Sequence, residues 1–203
     1  MSLVTIHEQF RSSVPDRRLE WLNAPREWRV DTGAGRLVVV PDSPTDFWQQ
    51  THYGFSADSG HLLAAALPGD FLVRTSVRLE PVHQYDQAGL MIYYSPQCWI
   101  KASVEYEGKG MGNLGAVVTN RGRSDWSIQN YAARPWEYSL QVRKTNVDIL
   151  VEYAPTDEGP WNLIRMAYVD PPECTIPRAG LYACAPKGRG AKAEFLSLHI
   201  EPL

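Results

Sequence analysis

Apolar and polar residues alternate with a period of two along most of the chain, and windows with apolar residues at i, i+3, i+4 and i+7 are scarce. "FLVRTSVRLEP" (71–81) shows the pattern best. It puts Phe71, Val73, Thr75, Val77 and Leu79 on one face and Arg74, Ser76, Arg78 and Glu80 on the other. Similar runs occupy 35–41, 61–67, 87–95, 97–107, 115–120, 125–132, 136–145, 147–155, 161–169, 179–186 and 192–200. Turn residues fall between them, and Asn146 joins two runs as a tight hairpin because asparagine tolerates positive φ. Only "IHEQFRSS" near the start suggests a short helix. About a dozen short strands at roughly 8–12-residue spacing predict an all-β antiparallel sandwich. No linker or repeat divides the chain, so residues 1–203 read as a single domain with 1–17 as a peripheral N-terminal segment.

The alternation also predicts which side chains meet solvent. In 97–107, Cys98, Ile100, Ala102, Val104 and Tyr106 should face the core, leaving Trp99, Lys101, Ser103, Glu105 and Glu107 outward. In 87–95, Ala88, Leu90, Ile92 and Tyr94 face inward, and Gln87, Gly89, Met91 and Tyr93 outward. A solvated sheet face is usually rich in Lys, Glu and Thr, whereas this one interleaves aromatic rings with amides and charges. That mixture suits a sugar, whose C–H face stacks on an aromatic plane while its hydroxyls pair with polar groups. The bland alternative makes Lys101–Glu105 a cross-strand ion pair and Trp99 a rim residue.

Composition narrows the options. With 44% apolar residues the chain can fill a core, and a net charge of −3 gives no electrostatic reason to expect a nucleic-acid partner. The basic groups Arg121/Arg123 and Lys187/Arg189/Lys192 lie beside glycines and read as solvated turns. No apolar run is long enough for a secretory signal or a membrane span. Cys98, Cys174 and Cys184 form an odd, widely spaced set, which favours a reducing, cytoplasmic setting with buried thiols. The five histidines and the cysteines lack metal-ligand spacing, and the glycines of "GKGMG" precede no helix, so neither a metal nor a cofactor is expected. A structural calcium on backbone carbonyls leaves no trace in sequence. Glu105 and Glu107 share a face about 7 Å apart along a strand, which fits the carboxyl spacing of an inverting glycosidase loosely and makes them the candidates for catalysis.

The ordered set "TDFWQQT", "GDFLVRTSVRLEP", "YDQAGLMI", "CWIKASVEYE", "VVTNRGRSDWS" and "AGLYACAPKGRGAKAEFLSLHI" resembles one family. This is the domain-of-unknown-function family that includes the regulation-of-enolase proteins, within the concanavalin A-like lectin/glucanase superfamily, and the resemblance covers nearly all of 18–203. It implies a jelly-roll β-sandwich of two curved antiparallel sheets whose concave face takes carbohydrate in relatives. It also carries over Asp46, Trp48, Gln87, Trp99, Lys101, Glu105 and Trp126 as site positions. Superfamily glucanases have an acid-rich strand of the form Glu-x-Asp-x-Glu, whereas "VEYEG" supplies only Glu105 and Glu107. The expected function is therefore a non-catalytic carbohydrate- or glycoconjugate-binding module. A protein-interaction or regulatory module is the alternative, and a glycosidase the third reading.

"TDFWQQTHYGF" (45–55) fits the same scheme. Alternation assigns Phe47, Gln49, Thr51, Tyr53 and Phe55 to the core and Asp46, Trp48, Gln50, His52 and Gly54 to the opposite side. Asp46 and Trp48 then form one wall of a groove floored by Gln87, Trp99, Lys101 and Glu105, with His52 and Tyr93 as further ligand-binding candidates.

Overall fold

The computed structural model describes residues 5–132 and 135–203, and every regular element in it is a β-strand. Among the described residues no helix is long and apolar enough to cross a membrane. The larger sheet runs β15 (Asn162–Tyr168), β14 (Asp148–Ala154), β13 (Glu137–Thr145), β8 (Phe71–Glu80), β17 (Lys192–Pro202), β4 (Arg36–Val40) and β3 (Glu27–Asp31). β1 (Ile6–Glu8) also pairs with β17. The second sheet runs β12 (Arg123–Tyr131), β11 (Met111–Asn120), β10 (Cys98–Gly108), β9 (Gln87–Ser95), β16 (Arg178–Cys184), β7 (His61–Ala66) and β2 (Glu20–Leu22). A separate ribbon pairs β5 (Phe47–Gln49) with β6 (Ser56–Asp58). All these pairings are antiparallel.

The principal core fills the space between the two large sheets. Val73, Val77 and Leu79 of β8, Leu140 and Val142 of β13 and Phe195 of β17 meet Leu90, Ile92, Ile100, Val104 and Leu181 of the second sheet. These are the inward positions that alternation assigns in β8, β9 and β10. Asn146 takes φ 53° at the β13–β14 hairpin, the left-handed conformation expected of it.

Two expectations near the N-terminus fail. "IHEQFRSS" is not helical, because Ile6, His7 and Glu8 pair with Ile200, His199 and Leu198. Nor is the described part of 1–17 peripheral, because Ile6 and Phe10 are fully buried in the principal core. Phe10 reaches it through a turn at φ 53°, with its N–H donating to Glu8 Oε1 at 2.7 Å. A free strand edge and two apolar side chains capture the segment more strongly than an isolated helical turn holds it.

The ribbon sets up the site. It lies on the face of the second sheet turned away from the principal core. There Phe47 and Trp48 pack with Leu62, Ala64, Met91, Tyr93, Trp99, Val117, Tyr182 and Cys184 in a second apolar cluster. Polar contacts anchor it: Gln49 N–H donates to Ser124 Oγ at 2.9 Å, and Tyr93 Oη donates to Asp58 Oδ2 at 2.9 Å. Gly60 makes the close approach possible, because a Cβ there would overlap the Phe47 ring and crowd the Cys184 sulfur.

Candidate functional site

A pocket of about 430 Å³ opens where the ribbon meets β10, β11 and β12. Its apolar wall is Trp48, Tyr53, Phe55 and Trp126. Trp48 stands edge-on to both Tyr53 and Trp126, with centroids 5.4 and 6.4 Å apart. The Trp48 indole is fixed by its Nε1–H, which donates to the Thr51 carbonyl at 3.1 Å. Tyr85 and Lys187 form the opposite rim, with Lys187 Nζ 5.6 Å from the centre of the Tyr85 ring.

The floor is charged. Lys101 Nζ donates to Asp46 Oδ1 at 3.0 Å, and the Phe47 N–H donates to the same oxygen at 2.8 Å. Burial, the largest single influence, would lower the Lys101 pKa, but Asp46 together with Cys184 and Glu105 outweighs it, and the net shift is upward. Glu105 lies four residues further along β10 on the same face and is only 9% exposed. Its Oε2 accepts from Gln87 Nε2 at 2.7 Å, while Oε1 is buried with no hydrogen-bond partner among the described residues. Burial pushes the Glu105 carboxyl up to about 8, against the opposing pull of Lys101. The floor thus sets one ion pair beside a carboxyl whose burial favours the protonated form.

Five of the predicted site residues line this pocket: Asp46, Trp48, Lys101, Glu105 and Trp126. Four do not. Trp99 is fully buried against Phe47, with its Nε1–H donating to the Pro96 carbonyl at 3.3 Å. Tyr93 lies in the same cluster, its hydroxyl spent on Asp58. Both side chains leave the expected face of the sheet, but the ribbon covers that face. Gln87 sits beneath the floor, holding Glu105. His52 is exposed on the far side of its turn, edge-on to Tyr53 at 4.8 Å.

The 45–55 stretch departs from simple alternation for a local reason. Phe47–Gln49 is extended, but Gln50, His52 and Gly54 adopt φ of 55°, 61° and 71°. These left-handed residues break the pleat, so Tyr53 and Phe55, assigned above to the core, are instead 51% and 45% exposed and line the pocket. Lys187, read as a solvated turn, supplies the cationic rim.

The two candidate catalytic acids do not share a cavity. Glu107 accepts from Asn113 Nδ2 at 2.9 Å and Gln84 Nε2 at 3.1 Å, and it is not among the residues lining the pocket. The Lys101–Glu105 cross-strand pair also gives way, since both residues lie on β10 and Lys101 binds Asp46. Among the described residues no group of three or more His, Cys, Asp or Glu side chains could hold a metal ion. Buried His61 is satisfied on both sides: Nδ1 donates to the Asn23 carbonyl at 2.5 Å and Nε2 accepts from the Asp42 N–H at 2.9 Å.

Comparison with known proteins sets this geometry in context. A family model described as a protein of unknown function, DUF1349, matches residues 21–203. A Saccharomyces cerevisiae protein named Regulation of enolase protein 1 is 33% identical over 175 residues, spanning 86% of this chain and 85% of the relative. A crystal structure of a functionally unknown protein from Saccharomyces cerevisiae superposes with a TM-score of 0.82 at 31% identity, covering 92% of this chain and 97% of that one. A xylan beta-1,4-xylosidase from Bacillus halodurans superposes with a TM-score of 0.75 over 96% of this chain but only 38% of that one. At 16% identity that likeness is one of fold.

Proposed function

This chain belongs to the DUF1349 family of unknown function, and on that footing we propose that it is a non-catalytic binding module for a carbohydrate or sugar-containing small molecule. The observation that carries this reading is the pocket itself, a cluster of four aromatic rings standing over a floor of fixed polar groups. Such walls stack on the C–H faces of a pyranose, and Lys101, Glu105 and Tyr85 offer partners for its hydroxyls. Binding rather than turnover is favoured because Asp46, the other acid lining the pocket, is tied through Oδ1 to Lys101 and the Phe47 N–H, and Glu107 lies outside the lining. The free thiols Cys98, Cys174 and Cys184 support a reducing, cytoplasmic setting.

A thermal-shift screen across sugars, run beside the Trp48→Ala and Trp126→Ala variants, tests the reading. A sugar that raises the wild-type melting temperature and fails to raise that of the variants supports it. No hit across the panel counts against it.

One observation favours a second reading, a regulatory module that acts through a protein partner. Leu163, Met166 and Tyr168 are exposed on β15, an edge strand of the larger sheet, and Ile128 is exposed on β12, an edge strand of the second sheet that the Arg165–Asp125 ion pair ties to β15. A partner lost on Met166→Lys and retained in Trp126→Ala would favour that reading over the sugar pocket.

A further inference from the structure

Beneath the pocket lies a second, much smaller space of about 10 Å³, lined by Gln87, Ser103, Asn113 and Gly115. Lys101, Glu105, Val117 and Trp126 line both spaces, so the crevice continues the pocket floor downward beside Trp126. Its volume suits a single oxygen atom with its proton, and its mixed lining includes the polar side chains of Gln87, Ser103, Glu105 and Asn113.

Hydrogen bonding around it fixes what Glu105 can do. The Tyr85 carbonyl only accepts, so the group that meets it at 3.0 Å must be the Gln87 amide nitrogen. The second Gln87 Nε2–H then goes to Glu105 Oε2, and Gln87 Oε1 accepts from the Tyr182 hydroxyl at 3.1 Å. Gln87 is held at both ends and cannot flip. Glu105 Oε2 is therefore an acceptor, and any proton on this carboxyl sits on Oε1, the buried oxygen that lacks a partner among the described residues. Glu105 lines the crevice, and a buried polar atom left unpaired on such a side chain is costly unless something completes it.

We propose that the crevice is a one-oxygen subsite of the pocket, where Glu105 Oε1–H donates a hydrogen bond to one oxygen of the bound sugar. This rests on the sugar reading above. It makes Glu105 the group that selects for an oxygen at one ring position and couples binding to the proton it carries. The charged and titratable groups around it are Lys101 and Glu107 from β10, Asp46 from the segment leading into β5, Tyr182 and Cys184 from β16, and Tyr85 and Lys187 at the rim. Burial outweighs the favourable pull of Lys101, and Asp46 and Glu107 both resist ionisation, in keeping with a carboxyl that is neutral at pH 7.

The test has two arms. In the first, carbon NMR of the ligand-free protein follows the glutamate carboxyls through a pH titration, with Glu105→Gln assigning the signal. Glu105 should titrate near pH 8, and titration in the range of an exposed glutamate overturns the proposal whatever binds. In the second, methyl β-D-glucopyranoside, methyl β-D-galactopyranoside, methyl β-D-xylopyranoside and their monodeoxy analogues are titrated by calorimetry from pH 6 to 9.5. Affinity should hold to about pH 8 and then weaken about tenfold per pH unit. Glu105→Gln, which still donates through its amide, should bind without that pH dependence. Glu105→Ala should lose roughly tenfold or more, as should one deoxy analogue. Wild-type affinity that is flat with pH, or matched by Glu105→Ala, overturns the subsite and leaves the pocket. A panel with no binder at any pH overturns the sugar reading and the subsite with it, even where the first arm finds Glu105 neutral.

Discussion

Lys101 and Asp46 lie 55 positions apart in sequence and 3.0 Å apart in space, and the partly exposed Asp46 compensates the burial of Lys101. Removing one partner of such a pair strands a charge, which typically costs about 3–5 kcal/mol. Asp46→Asn, which leaves the buried Lys101 ammonium unpaired, should therefore destabilise the fold by about 3 kcal/mol in chemical denaturation. The double variant Lys101→Met/Asp46→Asn should recover most of that loss. Glu105 gives a second prediction at this scale. Its folded pKa of about 8 lies above the 4.5 of an exposed glutamate, so the native state keeps a proton that the unfolded chain has already released. Stability should fall as pH rises from about 4.5 to 8, by about 1.4 kcal/mol per pH unit for this group, and level off above that. Glu105→Gln should flatten that part of the profile and be the more stable protein at pH 9. Denaturation midpoints of both proteins at a series of pH values check this.

The β5–β6 ribbon decides which parts of the site were legible in sequence. Alternation in β9 and β10 correctly separated Ile92, Ile100 and Val104 from Met91, Tyr93, Trp99, Lys101 and Glu105. Period-two geometry says which face a side chain leaves from, but not what later covers that face. Phe47 covers Trp99 and Tyr93, so two rings read as outward site residues became a second core. Tyr53 and Phe55 were hidden from the sequence for the opposite reason. Three left-handed residues within five positions break the pleat, and only Gly54 announces its conformation by type. The short strands β1, β2, β3 and β6 carry too few alternating positions to stand out, whereas all twelve longer runs formed strands. Gly60 is the ribbon's hinge of packing. Gly60→Ala should push Phe47 off the sheet, cost about 2 kcal/mol or more, and loosen Trp48 with it. A drop in melting temperature together with a red shift in tryptophan emission is the expected result.

On the scale of the whole molecule, the two sheets divide the work. The larger sheet and the inner face of the second build the principal core, which frees the outer face of the second sheet to carry a pocket. The fold recurs in the xylosidase at 16% identity, and a shared fold does not carry a shared site, so the pocket's chemistry is read from this chain's own residues. That chemistry also sets the most direct test. Nitrogen-15 correlation spectra resolve each tryptophan indole N–H, and the seven tryptophans here include two on the pocket wall and one sealed beneath the ribbon. Titrating the sugar panel into the labelled protein should shift the Trp48 and Trp126 indole signals saturably and leave Trp99 nearly still. Saturable shifts confined to tryptophans outside the pocket, or no shift with any sugar, would contradict the assignment of this pocket as the carbohydrate site.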